Sequence, residues 1–476
     1  MKTKLFVSAA IILCFSSAFQ GQKPATAKTN PEVEKMIKEV SAKNIEATIR
    51  KLVTFGSRNT LSEQDNPNRG IGAARDWIYA EFQKISKDCG GCLDVQKQAF
   101  VQPANPRGRI PQDTTLTNVF GVLKGATDPT RVYVVSGHYD SMCTSPTDAK
   151  CDSPGANDDA SGTAVSLELA RVMSKRKFDA TIVFMCVPGE EQGLLGATHY
   201  ANEAAKEKMN IEAMFTNDIV GGVTSQKNSP NRNRVRIFSE GVPTNETQAE
   251  ANTRRSVGGE NDSISRQLAR YIKEQSDRYS KDMKGFNAWM IYRRDRYGRG
   301  GDNQPFLTNG YAAIRISEAD EDFTHQHQNV RTENGIFYGD TPEYVDFEYV
   351  ANVCRINLIA LASLAYGPAK PANVTVNPRQ ANDTELKWDA STDVDLAGFE
   401  VVWRDTTDAE WAHSEWAGNV TSYTVKGISK DNYFFGVRAV DKDGNKSQVV
   451  YPRSAAAARP AASPSPTPTA TPQPSE

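Results

Sequence analysis

The sequence predicts an α/β fold, a mostly parallel sheet flanked by helices, followed by a small all-β sandwich. Three observations predict it. Apolar runs of strand length alternate with helical patterns between residues 131 and 366, as in chains whose strands are joined by crossover helices. After Gly367-Pro368 the helical patterns stop and short alternating segments take over. The chain, at 476 residues, is too long for one ordinary domain.

The elements follow in order. Lys2 and Lys4 precede an apolar run over 5–15 and the small residues Ser16, Ser17 and Ala18. The run is too short to span a bilayer and reads as a secretory signal peptide, cut between 18 and 27. Cys14 follows Leu13, which is too bulky for a typical lipoprotein site. The expected location is therefore secreted or periplasmic, without stable membrane insertion. Periodicity predicts helices over 31–53 and 70–85. Strand RVYVVSG (131–137), a helix over 159–175, strand DATIVFMCV (179–187) and a helix over 191–205 follow. Then come strand IEAMFTNDIV (211–220), a helix over 263–279, strand AAIRIS (312–317) and a long apolar helix over 347–366. The expected units are a leader to 27, an α/β domain over 28–367, a sandwich over 368–454, and a Pro/Ser/Thr-rich tail over 455–476 with the composition of a disordered segment.

Composition narrows the function. Lys plus Arg is 56 and Asp plus Glu is 58, a net charge of -2. That balance points away from nucleic acid and from anionic membranes as main partners. Export would permit disulfides, and Cys143 with Cys151 and Cys89 with Cys92 can each close a short ring. Cys186 and Cys354 lie in apolar segments and read as buried thiols.

The chemistry sits at apparent strand ends. Gly137-His138-Tyr139-Asp140 follows the first strand, and Gly155-Ala156-Asn157-Asp158-Asp159-Ala160-Ser161-Gly162 opens the next helix. Gly189-Glu190-Glu191-Gln192-Gly193, Asn217-Asp218 and His325-Gln326-His327 complete the set. In a parallel sheet these loops share one edge. Carboxylates gathered there would repel one another. Divalent cations remove that penalty, and imidazole with carboxylate suits zinc. A carboxylate shared by two ions and a second one free to take a proton from water would make a hydrolytic centre. Glu190 and Glu191 offer one residue for each job.

GHYDS, PGANDDASG and GEEQGLLGA, in this order and spacing, resemble the di-zinc peptidases of the bacterial leucine aminopeptidase type, whose wider family includes glutamate carboxypeptidases. The resemblance covers roughly residues 44–365. It implies two zinc ions, with His138, Asp158, Glu191, Asp218 and His327 as ligands and Asp158 bridging. It implies Glu190 as general base and Asp140 as the group that orients His138, with Asp159 in a strained turn after the bridge. His325 is the alternative to His327, because the usual His-Thr pattern is absent from Thr324-His325-Gln326-His327. Gly301-Asp302-Asn303-Gln304-Pro305-Phe306 also resembles a family segment near the substrate pocket. Trp388, GFEVVWR and YFFGVRAVDKDGNKS resemble fibronectin type III modules.

The expected function is a secreted aminopeptidase acting on peptides or proteins. A carboxypeptidase, a one-zinc cyclase of N-terminal glutamine and an inactive peptidase-like binding protein are the alternatives. Glu318 and Asp320 are candidates to hold a substrate amine, and the cluster Arg293, Arg294, Arg296 and Arg299 to hold a carboxylate. His199 and His413 are expected outside the site. The sandwich, which fits contact with a cell surface or polymer, is expected to be separable from catalysis.

Overall fold

The computed structural model describes residues 29–222 and 229–455; the leader and nearly all of the tail lie outside them. Eight strands form one sheet: β1 (Leu93–Gln102), β2 (Thr114–Leu123), β3 (Asp128–His138), β4 (Ala180–Val187), β5 (Asn210–Asn217), β6 (Arg234–Phe238), β7 (Asn287–Ile291) and β8 (Ala313–Glu318). Their order is β1-β2-β4-β3-β5-β8-β6-β7. The central pairs β4/β3, β3/β5 and β5/β8 are parallel. The β1/β2, β2/β4 and β6/β8 pairs are antiparallel. The sheet is thus mixed, with a parallel centre. Strands β1, β2, β6 and β7 are additional to those expected from the sequence.

Alternation divides the parallel strands between two cores, as a pleated strand covered on both faces requires. Tyr133, Val135, Ile182 and Phe184 pack with helices α1 (Pro31–Glu39), α2 (Ala42–Val53), α3 (Gly70–Asp88), α4 (Ala160–Met173), α7 (Ile264–Arg278) and α9 (Phe347–Tyr366). Val132, Val134, Val183 and Met185 pack with α5 (Leu195–Lys206) and α8 (Asn303–Thr308). Helix α6 (Gln248–Ser256) lies outside both layers and begins with a capping box from Thr247 and Glu250. Helix α9 is long and apolar enough to cross a membrane, but 83% of its apolar window is buried in this core.

Two helix boundaries depart from periodicity. The helix expected over 31–53 is two helices, because Val40 is extended and the Ser41 side chain caps a new start at Asn44 N. The helix expected from 191 starts at Leu195. Before it, Gly193 and Leu194 take positive φ, and their amides both bond the carbonyl of Glu190. Glu190 and Glu191 are therefore held in a turn.

Beyond a short hairpin, β9 (Arg331–Glu333) with β10 (Ile336–Tyr338), the chain forms β11 (Thr375–Val376), β12 (Thr384–Lys387), β13 (Leu396–Asp405), β14 (His413–Gly418), β15 (Ser422–Val425), β16 (Tyr433–Asp441) and β17 (Arg453–Ser454). These make two sheets, β15-β12-β11-β17 and β14-β13-β16. Trp388, Phe399, Val401 and Val437 fill the space between them. The sandwich is locked to α7. Arg404 donates to both oxygens of the buried Asp262, which also pairs with Arg270, all at 2.9 Å. Arg438 pairs with Glu274 at 2.8 Å, and Tyr271 donates to the Lys446 carbonyl. Buried ion pairs thus join the sandwich to the α/β domain.

Both short disulfides form, Cys89–Cys92 and Cys143–Cys151, while Cys186 and Cys354 are buried thiols.

Candidate metal centre and active site

The C-terminal ends of the parallel strands carry the site. His138 is the last residue of β3, Glu190 and Glu191 follow β4, and Asp218 follows β5. Helix α4 brings Asp158 and Asp159 over the same edge. It can approach because Gly137 and Gly162 lack side chains. A Cβ on Gly137 would lie 2.3 Å from the Gly162 backbone, and one on Gly162 would lie 2.1 Å from the Asn217 carbonyl. The Asp158–Asp159 peptide is cis. Asp159 accepts from the amides of His138 (2.9 Å) and Gly162 (2.8 Å), tying strand end to helix start. Asp340 accepts from the amides of Asn157 and Asp158, the latter at 2.7 Å.

Asp158 lies between two groups of donors. One of its oxygens is 3.1 Å from His138 Nε2, which is 3.8 Å from Asp218. Its other oxygen is 2.8 Å from His327 Nε2, which is 3.1 Å from Glu191. Donor atoms within each trio, His138-Asp158-Asp218 and Asp158-Glu191-His327, lie within 4.8 Å of one another. His138 Nε2 and Glu191 Oε1 are buried without a hydrogen-bond partner, although buried polar atoms are normally satisfied. Imidazole with oxygen donors, two orphaned buried atoms and one shared carboxylate fit a pair of zinc ions. A third group, Cys143, Asp148 and Cys151, is not comparable, because its sulfurs form a disulfide.

Electrostatics agree with this fit. Burial disfavours a charge on His138, yet the neighbouring carboxylates of Asp140, Asp158 and Asp218 outweigh it and hold its pKa well above the imidazole range. Burial likewise opposes charge on His327, but Glu191 and Asp158 push it up to about 11. Protons thus offset a local excess of carboxylate that cations would neutralise. Asp218 is held down at about 2, against burial, by Arg315 and His138. Burial raises Glu190 well above the usual carboxylate range, and the charges of Asp218, Glu191 and Asp302 add to the rise.

Asp140 supports the site rather than facing it. Its carboxylate lies 3.3 Å from His138 Nδ1 and accepts from the Glu190 and Glu191 amides and from Thr60. Such contacts fix a ligand's ring orientation. His325 turns away, with Nδ1 3.0 Å from the Gly339 carbonyl and its ring stacked on Tyr344. Glu318 accepts from Asn157, and Asp320 bonds Ser229 and Asn231. His199 stacks on Phe100 and His413 on Trp403, both away from the centre.

Three residues with no role assigned from sequence emerge here. Arg315 is fully buried and pairs with Asp218 at 2.7 Å; an arginine inside the apolar strand AAIRIS was its signal. Asp302 is buried with both carboxylate oxygens unpartnered. Asp340 had no local signal, since its partners lie some 180 residues away.

A mixed sheet whose central parallel strands end on two histidines and several carboxylates gathered around one aspartate has the donor set of a metal-dependent hydrolase. The model of peptidase family M28 matches residues 118–336, and the fibronectin type III model matches 369–453. A protein of Leptosphaeria maculans named "Probable zinc metalloprotease" is 47% identical over 422 residues, covering 88% of this chain and 96% of that one. One of the same name from Pyrenophora tritici-repentis is 46% identical, covering 88% and 86%. Among solved structures, the LapA aminopeptidase of Legionella pneumophila aligns with 71% of this chain and 76% of its own, at 18% identity and a TM-score of 0.49. The chain belongs to peptidase family M28; it is a zinc metalloprotease with a C-terminal fibronectin type III domain.

Proposed function

We propose that this protein is a secreted di-zinc aminopeptidase. The observation that carries the metal count is Asp158, one oxygen of which faces His138 and the other His327. His138 and Asp218 would hold one ion, Glu191 and His327 the other, with Asp158 shared. Two bound zinc ions would polarise the scissile carbonyl and lower the pKa of the attacking water. Glu190 takes the proton from that water as its oxygen bonds to the carbonyl carbon, and returns it to the amine as the C–N bond breaks. Raised proton affinity at Glu190 suits a group that must both accept and release a proton. Asp140 keeps His138 in place and anchors the turn that carries Glu190 and Glu191.

Two lines favour the amino end. The motifs resemble the leucine aminopeptidase type, and Asp302, buried near Glu190 and assigned to neither ion, offers a carboxylate to a cationic terminus beside the reacting bond. The leader at residues 2–18 supports export. The test pairs metal analysis with peptides blocked at each end. N-acetylation abolishes cleavage and C-terminal amidation is tolerated; cleavage of the acetylated but not the amidated peptide overturns the amino-end assignment. Glu190→Gln lowers kcat about a hundredfold or more with zinc retained, and near-normal turnover would remove Glu190 from the base role.

A further inference from the structure

A cleft of about 910 Å³ opens beside the candidate metal centre, with His327 in its wall. Four arginines line it, Arg236, Arg293, Arg296 and Arg299, against two carboxylates, Asp320 and Glu321; with Asp295 paired to Arg296 at 3.3 Å, the excess is one positive charge. The pairing is lopsided. Glu321 alone receives Arg236 at 2.7 Å, Arg296 at 3.4 Å and Arg299 at 2.7 Å. Asp320 is engaged by Ser229 and Asn231. Arg293 is exposed, with its guanidinium 5.3 Å from the Tyr297 ring centre.

Exposed aromatic surface marks the same cleft. Tyr297 is 88% and Phe323 63% exposed, and Arg299 lies 5.5 Å from the Phe323 ring centre. Large exposed apolar side chains grouped at a cleft indicate a contact surface more often than chance. Guanidinium groups stacked on rings are held in place while their N–H edges stay free to donate. Arg296 is also held by Asp295 at 3.3 Å and by the Gly300 carbonyl, so the donors offered to a planar, doubly accepting group are those of Arg293 and Arg299.

We propose that this cleft binds a carboxylate of the peptide substrate, through Arg293 and Arg299, and so makes the enzyme select acidic peptides or the free C-terminus of short ones. The proposal rests on the peptidase reading above. It gives the site a polarity, with Asp302 near Glu190 facing the amine end and arginines beyond His327 receiving the anionic part.

Binding to the full-length, zinc-loaded Glu190→Gln protein is measured by calorimetry, so the result does not depend on turnover. The ligands are tetrapeptides differing only by Glu against Gln, and one neutral tetrapeptide with a free or an amidated C-terminus. In at least one pair the carboxylate form binds about tenfold tighter, a gap typical of charge-assisted hydrogen bonds. The gap narrows with added salt and closes in the Arg293→Gln/Arg299→Gln variant, while Arg50→Gln, an exposed side chain of α2 outside the cleft lining, leaves it unchanged. The first pair identifies a side-chain carboxylate and the second the terminal one. Equal affinities within both pairs, or a gap that survives the double arginine variant, overturn the proposal. Failure of the peptidase reading would show instead as absence of peptide hydrolysis by the wild-type protein with its metals bound.

Discussion

Asp302→Asn should stabilise the metal-free protein at high pH and leave it unchanged at low pH. Asp302 is 1% exposed and neither of its oxygens has a hydrogen-bond partner. Burial, with Asp218 and Asp140 adding to it against the pull of His138 and Arg315, raises its pKa from 3.8 to about 7. The folded state therefore holds this proton more tightly than the unfolded chain, and stability falls as pH rises from about 4 to about 7. Below that window both states are protonated and nothing is lost. Above it the loss is complete. At about 1.4 kcal/mol per tenfold change in proton affinity, the rise from 3.8 to about 7 is worth up to about 4 kcal/mol. Asn keeps the shape and cannot ionise, so it removes this penalty. The assay is denaturant unfolding of chelator-treated wild type and variant at pH 4 and pH 8. A gain of a few kcal/mol at pH 8 and almost none at pH 4 is expected. An equal effect at both pH values, or destabilisation at pH 8, would refute the reasoning.

Two other perturbations follow from the same geometry. Arg404→Met leaves the buried Asp262 with Arg270 as its remaining ion-pair partner and should cost about 3 kcal/mol; adding Asp262→Asn should recover part of this, and a purely additive double variant would show that the two side chains do not interact. The disulfide-closed loop supports both sides of one metal trio, since Thr144 and Asn329 exchange two hydrogen bonds and Gln192 donates to the Pro146 carbonyl. The Cys143→Ser/Cys151→Ser variant should therefore bind its second zinc roughly tenfold more weakly with the first unaffected; unchanged affinity at both sites, measured by chelator competition, would show that the loop does not position Glu191 and His327.

Most of the site was legible because its residues sit in short motifs at strand ends. His138 with Asp140, Asp158 with Asp159, and Glu190 with Glu191 announce themselves by adjacency. What was not legible depends on partners distant in the chain. Arg315 meets Asp218 across a parallel strand pair, and Asp340 reaches back to the Asn157 and Asp158 amides. The choice between His325 and His327 rests on backbone direction: His327 takes φ 54° and reaches Asp158, while His325 stacks on Tyr344. Strand β1 carries no clean period-two signal, because Lys97 interrupts the series Leu93, Val95, Ala99, Val101 and the apolar Phe100 falls out of phase with it. Strands β6 (RVRIF) and β7 (NAWMI) are only five residues each, short enough that their apolar positions do not separate strand from helix. The docking of the sandwich was invisible for a similar reason. Asp262 and Arg404 lie 142 residues apart and each reads locally as an ordinary surface charge.

Zinc content per chain, measured by atomic emission on wild type, Asp158→Asn, His325→Ala and His327→Ala, tests the central claim most directly. One aspartate shared between His138 and His327 predicts two ions in the wild type, two in His325→Ala, one in His327→Ala, and loss at both positions in Asp158→Asn. A wild type saturating at one ion, or His327→Ala retaining two, would contradict it.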